Sequence, residues 1–542
     1  MIDLQPFKLL LRMTRVGFGF IYAPDNKKTR QQLDHDDQIV PLDELDNNFC
    51  FRVQHTRAIF RFDEILDADR IRAGLEQLIT KHGWSKVGAR MQKVCFNHQQ
   101  ENPATKCFHQ PKTDFFAVVI IQTNGRLEFR IPATFSNERP PLRYHHQTIE
   151  DSIHDQNIPA WPANIASEPV FLGNPSSLTN MFSNMDDTTD LESLITKQLP
   201  IFGLCTVQYR DATLLAMSWP HVLMDGVAAS VLLNSLTMLL QNKEKYLPKV
   251  IDPTVQPLRD FGEGIAIQEY KLYHRILRTV SFLAQYVLFQ CPWCFIRGTE
   301  QRTICIPRSF MQRLKEREVA KDSKEQTFVS DADLLCAWWT RVLSRHLAKS
   351  WYSSVAVYNL LALHPYLAKS HLNPAIAYVG NAVAYLPTLI SSEEARLGSI
   401  SSIATSIRRS IVELTEPKQL EAYVKIFRQW SNYVFPAVGK GLTYTVIFSN
   451  LTKLKFLHLD FSGALIGSQD KYLELDNIPG SDDTRKHCTP SLSHLVQDYA
   501  FSNLFTCLGQ DRDGNLWLTG NASKRQWDAI QQSWNQGDFS ND

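Results

Sequence analysis

The transition around residue 220 restricts the fold more than any other stretch of this chain. A strand-like run, Leu214 to Trp219, leads into His221-Val222-Leu223-Met224-Asp225-Gly226, and an apolar run follows from Val227 to Leu240. Phe202 to Tyr209 precedes it, so Arg210-Asp211-Ala212 reads as the turn of a hairpin that delivers His221 to a strand end. A neutral imidazole there, steadied by a carboxylate four residues on, suits a general base at neutral pH. Gly226 lets the backbone turn sharply into the helix where a side chain would clash. The pattern alone is weak: with 16 His and 23 Gly in the chain, chance yields an H-x-x-x-D-G match in roughly a few per cent of such sequences.

At 542 residues the chain exceeds one ordinary core and calls for two or more domains. Lys plus Arg (57) nearly cancels Asp plus Glu (56), so no global field recruits nucleic acid. Ten cysteines scattered from Cys50 to Cys507 fit a reduced compartment better than a disulfide framework. Leu9-Leu10-Leu11 is cut short by Arg12 and Arg15, which leaves no apolar core for a secretory signal. These features together predict a cytoplasmic protein.

Val40-Pro41-Leu42-Asp43 through Phe62 reads as a loop and then a strand, and Asp67 to His82 as a helix with Ile71, Leu75, Leu78 and Ile79 on one face. Phe115 to Ile121 and Leu127 to Ile131 flank Thr123-Asn124-Gly125, a hairpin signal. Residues 133 to 195 read as long loops. The second half predicts helices over Asp331 to Leu347 and Ile400 to Leu414, with strands over Val355 to Leu361, Leu442 to Phe448, Phe456 to Leu459 and Leu516 to Thr519. A last helix follows Ala522. Mixed strands and helices in both halves predict a mixed α/β fold. The apolar stretch from Leu272 to Ile296 carries Arg275, Arg278 and Gln285, which argues against a membrane span. It reads as a helical connection between domains, with a membrane-surface helix as the weaker reading.

The motif and its surroundings resemble the BAHD-type acyl-CoA-dependent acyltransferases, in particular their fungal trichothecene-acetyltransferase-like branch. The landmarks run in order: the opening Val40-Pro41-Leu42-Asp43, Trp84 to Arg90, His221 with Asp225 and Gly226, Asp333 to Trp339, Tyr378-Val379-Gly380-Asn381, and Asp460-Phe461. Two features depart from the family. The last motif reads Asp-Phe-Ser-Gly-Ala over 460–464 instead of D-F-G-W-G, and Asn359 stands where an arginine often pairs with that aspartate, so an Asp460–Asn359 hydrogen bond is the expected substitute.

The resemblance implies two chloramphenicol-acetyltransferase-like domains with an active-site channel between them. It divides the chain into an N-terminal lobe over 1–255, a connecting segment over 256–300 with an apolar helix, and a C-terminal lobe over 301–542. It further implies an enzyme that moves an acyl group, acetyl in the first instance, from acyl-CoA to a hydroxyl of a small hydrophobic secondary metabolite such as a terpenoid, polyketide or alkaloid. No bound cofactor, metal or nucleic acid enters this scheme, and the expected state is a monomer. His221 would be the general base and Asp225 the residue that orients its loop. Gly226 and Asp460 would be structural, and Ser449 and Asn450 would face the substrate as oxyanion donors.

Two readings compete from within the same fold. One is a condensation-type domain fed by a carrier protein, but such domains favour two adjacent histidines and here Pro220 precedes His221. The other is a non-catalytic binding member, suggested by the altered last motif. Cys291-Pro-Trp-Cys294 follows an apolar run rather than a strand, so it lacks a redox context. Cys95, His98, Cys107 and His109 fit no common zinc spacing. Arg408-Arg409 reads as a solvated helix face.

Overall fold

A computed structural model describes residues 36–43, 45–48, 51–52, 54–94, 126–156, 167–172, 178, 181–182, 191–277, 299–321, 328–345, 352–367, 376–430, 436–466, 487–498 and 503–539. The C-x-x-C pair, the four candidate zinc ligands, most of the 272–296 stretch and the 115–121 arm of the first expected hairpin lie outside these residues.

Two mixed sheets organise the described chain, which is the mixed α/β class expected. The first runs Leu492–Asp498, His55–Phe62, Thr213–Pro220, Gly203–Gln208, Arg143–Thr148. His55–Phe62 and Thr213–Pro220 are buried along their whole length, so alternate side chains enter two separate cores. Ala58, Phe60, Phe62, Leu215 and Met217 pack against Ile71, Leu75 and Leu78 of the Ala68–Lys81 helix and Leu232, Leu233 and Leu236 of the Gly226–Leu240 helix. Ile59, Leu214 and Ala216 enter a second cluster with Ile153, Leu178 and Phe182. Each buried Leu, Ile, Phe or Met among them contributes about 1.5–3 kcal/mol on burial.

The second sheet has seven strands: Val383–Ser391, Ser354–Ala362, Thr443–Asn450, Leu504–Gln510, Leu516–Ser523, Thr299–Ile306 and Val170–Phe171. Val355, Val357, Val446 and Phe448 face the Asp331–Arg345 and Ile400–Leu414 helices. Ala356, Tyr358 and Ile447 face the Pro417–Trp430 helix. Arg408 is not solvated as expected: its guanidinium binds the buried Asp333 carboxylate, with Nε to Oδ2 at 2.8 Å.

The sheets exchange strands between the two halves of the sequence. Leu492–Asp498, from near the C-terminus, pairs antiparallel with His55–Phe62 in the first sheet, and Val170–Phe171 pairs with Thr299–Ile306 in the second. At the crossing, Gln301 Nε2 donates to the Leu495 carbonyl at 2.8 Å, and Thr303 Oγ1 lies 3.3 Å from His494 Nδ1.

Several local expectations need correction. Arg143–Thr148 is a strand parallel to Gly203–Gln208, inside a region that reads as loop, because Arg143 is held by the buried Pro200 carbonyl and Ser218 hydroxyl beneath a polar surface. Phe456 to Leu459 is not a strand; Phe456–His458 forms a 3₁₀ turn, entered through Lys455 at φ 54°. The described start of the apolar 272–296 stretch is likewise a 3₁₀ turn, Tyr273–Arg275. Among the described residues no helix is long and apolar enough to cross a membrane.

Candidate active site

His221 sits one residue beyond the Thr213–Pro220 strand, with its backbone N–H donating to the Gln54 carbonyl at 2.9 Å. Its ring is half-buried and stacks on buried Phe51, centroids 4.5 Å apart and planes 7° from parallel. The strand end fixes the backbone, and the stacked ring fixes the plane of the imidazole.

Asp225 is the N-cap of the Gly226–Leu240 helix, accepting from Val227 N and Ala228 N, both at 3.0 Å. Its other oxygen accepts from Ala382 N at 3.0 Å, and its own N–H donates to the Gly380 carbonyl at 3.2 Å. The carboxylate is thus spent on backbone donors, and it fastens the helix start to the 378–382 segment of the other half. It does not hold the imidazole by itself.

Asn381 does that. Its Oδ1 lies 3.0 Å from His221 Nδ1, while its Nδ2 donates to the His221 carbonyl and to Asp46 Oδ1, each at 2.9 Å. Asp46 Oδ1 also accepts the Asn381 backbone N–H at 2.8 Å. Lys86 Nζ stands 3.6 Å from Asp46 Oδ2, donates to the Val379 carbonyl at 2.7 Å, and lies over the Phe129 ring. Among the described residues the other ring nitrogen of His221, Nε2, has no hydrogen-bond partner.

The electrostatics favour a neutral ring. Burial holds the His221 pKa below its ordinary value; its own backbone carbonyl, the Asp225 charge and the Asn381 oxygen pull the other way and do not overcome it. Burial pushes the Asp46 carboxyl up to about 6, with Lys86 and Asn381 restraining the rise and Asp43 adding to it.

At Gly226 two leucine side chains approach closely enough that an added Cβ would make them give by a few tenths of an ångström. The φ of Gly226 is not positive, so no special turn conformation requires it, but a Cβ there would lie 3.3 Å from both Leu451 Cδ2 and Leu454 Cδ1. Ser449 and Asn450 end the Thr443–Asn450 strand immediately before those leucines, which sets that strand end beside the start of the motif helix. Asn450 is exposed, and its Oδ1 already accepts from Thr452 N at 2.9 Å. No hydrogen bond joins either residue to His221 among the described residues.

Asp460 lies at the opposite end of the motif helix. Its carboxylate binds Ser462 N and Cys488 N at 3.0 Å and His487 Nδ1 at 3.0 Å. Burial would raise its pKa, yet these bonds together bring it below the ordinary value. Asn359 is not its partner. It stands in the second sheet, opposite Leu386 and Phe448, with its side chain against Cys336.

Asn381 and Asp46 are the functional candidates that residue patterns alone do not single out. Asn381 is visible as the last member of Tyr378-Val379-Gly380-Asn381, though without a role. Asp46 is one acidic residue in an ordinary polar loop and carries no local signal at all.

No protein-family model matches the chain. It is 27% identical over 504 residues to acetyltransferase adrJ of Penicillium roqueforti, covering 91% of this chain and 95% of that protein. It is 25% identical over 508 residues to a protein of Penicillium decumbens named transcriptional regulator calD, covering 91% and 94%. Among solved structures it is similar to TRI101 of F. graminearum, crystallised with coenzyme A and deoxynivalenol. That match has a TM-score of 0.59 and 13% identity, with 92% of this chain and 98% of that one covered. The fold is therefore that of TRI101 along nearly the whole chain. Shared fold and similarity of sequence along nearly the whole chain support the likeness to the fungal, trichothecene-acetyltransferase-like branch of the BAHD-type acyltransferases.

Proposed function

We propose that this acyl-CoA-dependent acyltransferase moves an acyl group, acetyl being the first to test, onto a hydroxyl of a small hydrophobic secondary metabolite, with His221 as general base. The observation that carries the proposal is the imidazole itself: neutral, stacked on Phe51, anchored through Nδ1 to Asn381, with Nε2 bound by nothing else described. Nε2 takes the hydroxyl proton as the oxygen attacks the thioester carbonyl. The C–S bond of the tetrahedral adduct then breaks, and the proton passes to the departing CoA thiolate. No acyl-enzyme is needed. Such a base supplies about 10²–10⁴-fold, and fixing two substrates against each other supplies at least as much.

Acyl-CoA and acceptor would meet at His221 in a channel between the two sheets, with Asp225 holding the loop that carries the base. Ser449 and Asn450 remain the donors proposed for the oxyanion, Asn450 through Nδ2 because its Oδ1 is engaged. The acetyltransferase name of adrJ and the coenzyme A bound to TRI101 support the reading.

A second reading, a non-catalytic binding or regulatory member of the same fold, is favoured by the name of calD and by the Asp-Phe-Ser-Gly-Ala motif. Thiol release from acetyl-CoA, measured with the full chain and a panel of hydroxylated metabolites, separates the two. Release that vanishes in His221→Ala and persists in Cys291→Ser is the expected result; no release with any acceptor favours the binding reading.

A further inference from the structure

The proton on the His221 ring can be placed from the heavy atoms. Asn381 Nδ2 faces two acceptors, the His221 carbonyl and Asp46 Oδ1, each at 2.9 Å. Rotating that amide by half a turn would set its oxygen against both of them, oxygen on oxygen, so the orientation is determined. Asn381 Oδ1 therefore faces His221 Nδ1 at 3.0 Å. A carbonyl oxygen only accepts, so Nδ1 must carry the hydrogen, and in a neutral imidazole Nε2 is then the bare nitrogen.

The determinant lies one residue further back. One carboxylate oxygen of Asp46 holds Asn381 twice, by its backbone N–H at 2.8 Å and its side-chain amide at 2.9 Å. Asp46 is only 1% exposed, and Lys86, 5% exposed, stands 3.6 Å from its second oxygen. Remove the carboxylate and one of the two acceptors that orient the amide is gone. The reversed amide would present N–H to Nδ1, which must then be bare, and the ring hydrogen would move to Nε2. A ring in that form cannot accept a proton from a hydroxyl.

We propose that Asp46 is a remote positioning residue for the base: acting through Asn381, it keeps His221 in the Nδ1–H form that leaves Nε2 able to accept a proton. This rests on the acyl-transfer reading only for the use made of Nε2; the tautomer is a property of the resting protein.

The test uses the full chain labelled with ¹⁵N-histidine, with the His221 signals assigned by difference against His221→Gln. At pH 7.5 the wild-type spectrum is expected to show Nδ1 protonated and Nε2 bare. Asp46→Leu should move the proton, wholly or in part, to Nε2 and lower kcat for acyl transfer about 10²-fold or more. The KM for acetyl-CoA should stay within about threefold, since the residue is only 1% exposed. Asp46→Asn keeps an acceptor oxygen in the same place and should recover kcat to within about tenfold of wild type with the native tautomer. A wild-type ring carrying its hydrogen on Nε2 overturns the proposal. So does an Asp46→Leu protein that keeps both the native spectrum and kcat within about twofold. If Asp46→Leu fails to fold, the wild-type spectrum and Asp46→Asn still decide. A chain that releases no thiol from acetyl-CoA defeats the acyl-transfer reading, while the nitrogen spectrum continues to judge the tautomer.

Discussion

The two ends of the Gly226–Leu240 helix are each met by a motif, and they are built on opposite terms. At the N-terminal end the contacts are polar and reach the other half of the molecule: Asp225 to Ala382, Asn381 to His221. About 22 Å away, at 1.5 Å per residue, the Asp-Phe-Ser-Gly-Ala turn closes on the helix by backbone proximity. A Cβ on Gly463 would lie 2.3 Å from the Leu240 carbonyl oxygen, and Gln241 Nε2 donates to the Asp460 carbonyl at 3.0 Å. Gly463 stands where the family places a tryptophan, and in this chain that position admits no side chain. The Asp460 carboxylate turns away to Ser462 and to the 487–488 segment. One end thus concentrates unspent chemical capacity in a single ring, whereas the other consumes its polar groups in holding a turn.

Substitutions along the helix should separate these roles. The largest effect is expected from His221→Ala, a loss of about 10²–10⁴-fold in kcat for thiol release with only a small drop in melting temperature, from the lost stacking on Phe51 and the lost bond to Asn381. In the wild type, because the His221 pKa is held below 6.5, the acid limb of kcat/KM should fall below pH 6.5. Asp225→Ala removes a charged acceptor from three backbone donors and should cost about 3 kcal/mol of stability by chemical denaturation, with activity lost alongside. Gly463→Ala forces the far end apart and should cost about 2 kcal/mol, while kcat per folded molecule stays within about twofold. If instead it abolishes turnover of folded protein, the contrast between the ends is wrong.

A second histidine sharpens the contrast further. His494 is buried, with Nε2 unbonded among the described residues, and burial lowers its pKa from 6.5 to about 4. The unfolded chain takes up a proton at this position that the native protein refuses. The stability this group supports is present above pH 6.5 and is lost as pH falls towards 4, by up to about 3 kcal/mol. His494→Gln should flatten that part of the stability profile. The smallest effect is expected from Asp460→Asn, about 1 kcal/mol, read as a small drop in melting temperature with kcat unchanged.

What could be read along the chain was what is local. The hairpin that delivers His221 is found at Gly203–Gln208 and Thr213–Pro220, and the first helix at Ala68–Lys81 with Asp67 as its cap. Apolar runs bounded by turn residues, and helical spacing, announce such elements wherever neighbours in sequence are neighbours in space. The side-chain partners of the base were not legible for the converse reason. Asn381 is 160 residues from His221 and Asp46 is 335 from Asn381, and nothing in the composition around Asp46 distinguishes it from other loop acids. The expected Asp460–Asn359 bond failed similarly. The pairing was inferred from spacing in a family, while Asp460 had closer donors at Ser462 and Cys488. The Arg143–Thr148 strand escaped notice because its outward residues are polar and its partner strand lies parallel, more than fifty positions later.

The exchange of strands between the sheets sets a timetable for biosynthesis. His55–Phe62 leaves the ribosome early, yet its outer hydrogen-bonding partner, Leu492–Asp498, is made roughly 430 residues later. At about 5–20 residues per second that is a wait of roughly 20–90 s. Throughout it, one rim of the nascent N-terminal half stays open to any extended peptide that drifts past. A gene split at the middle would make that delay permanent for the first fragment. Supplying the second fragment in the same cell would end it.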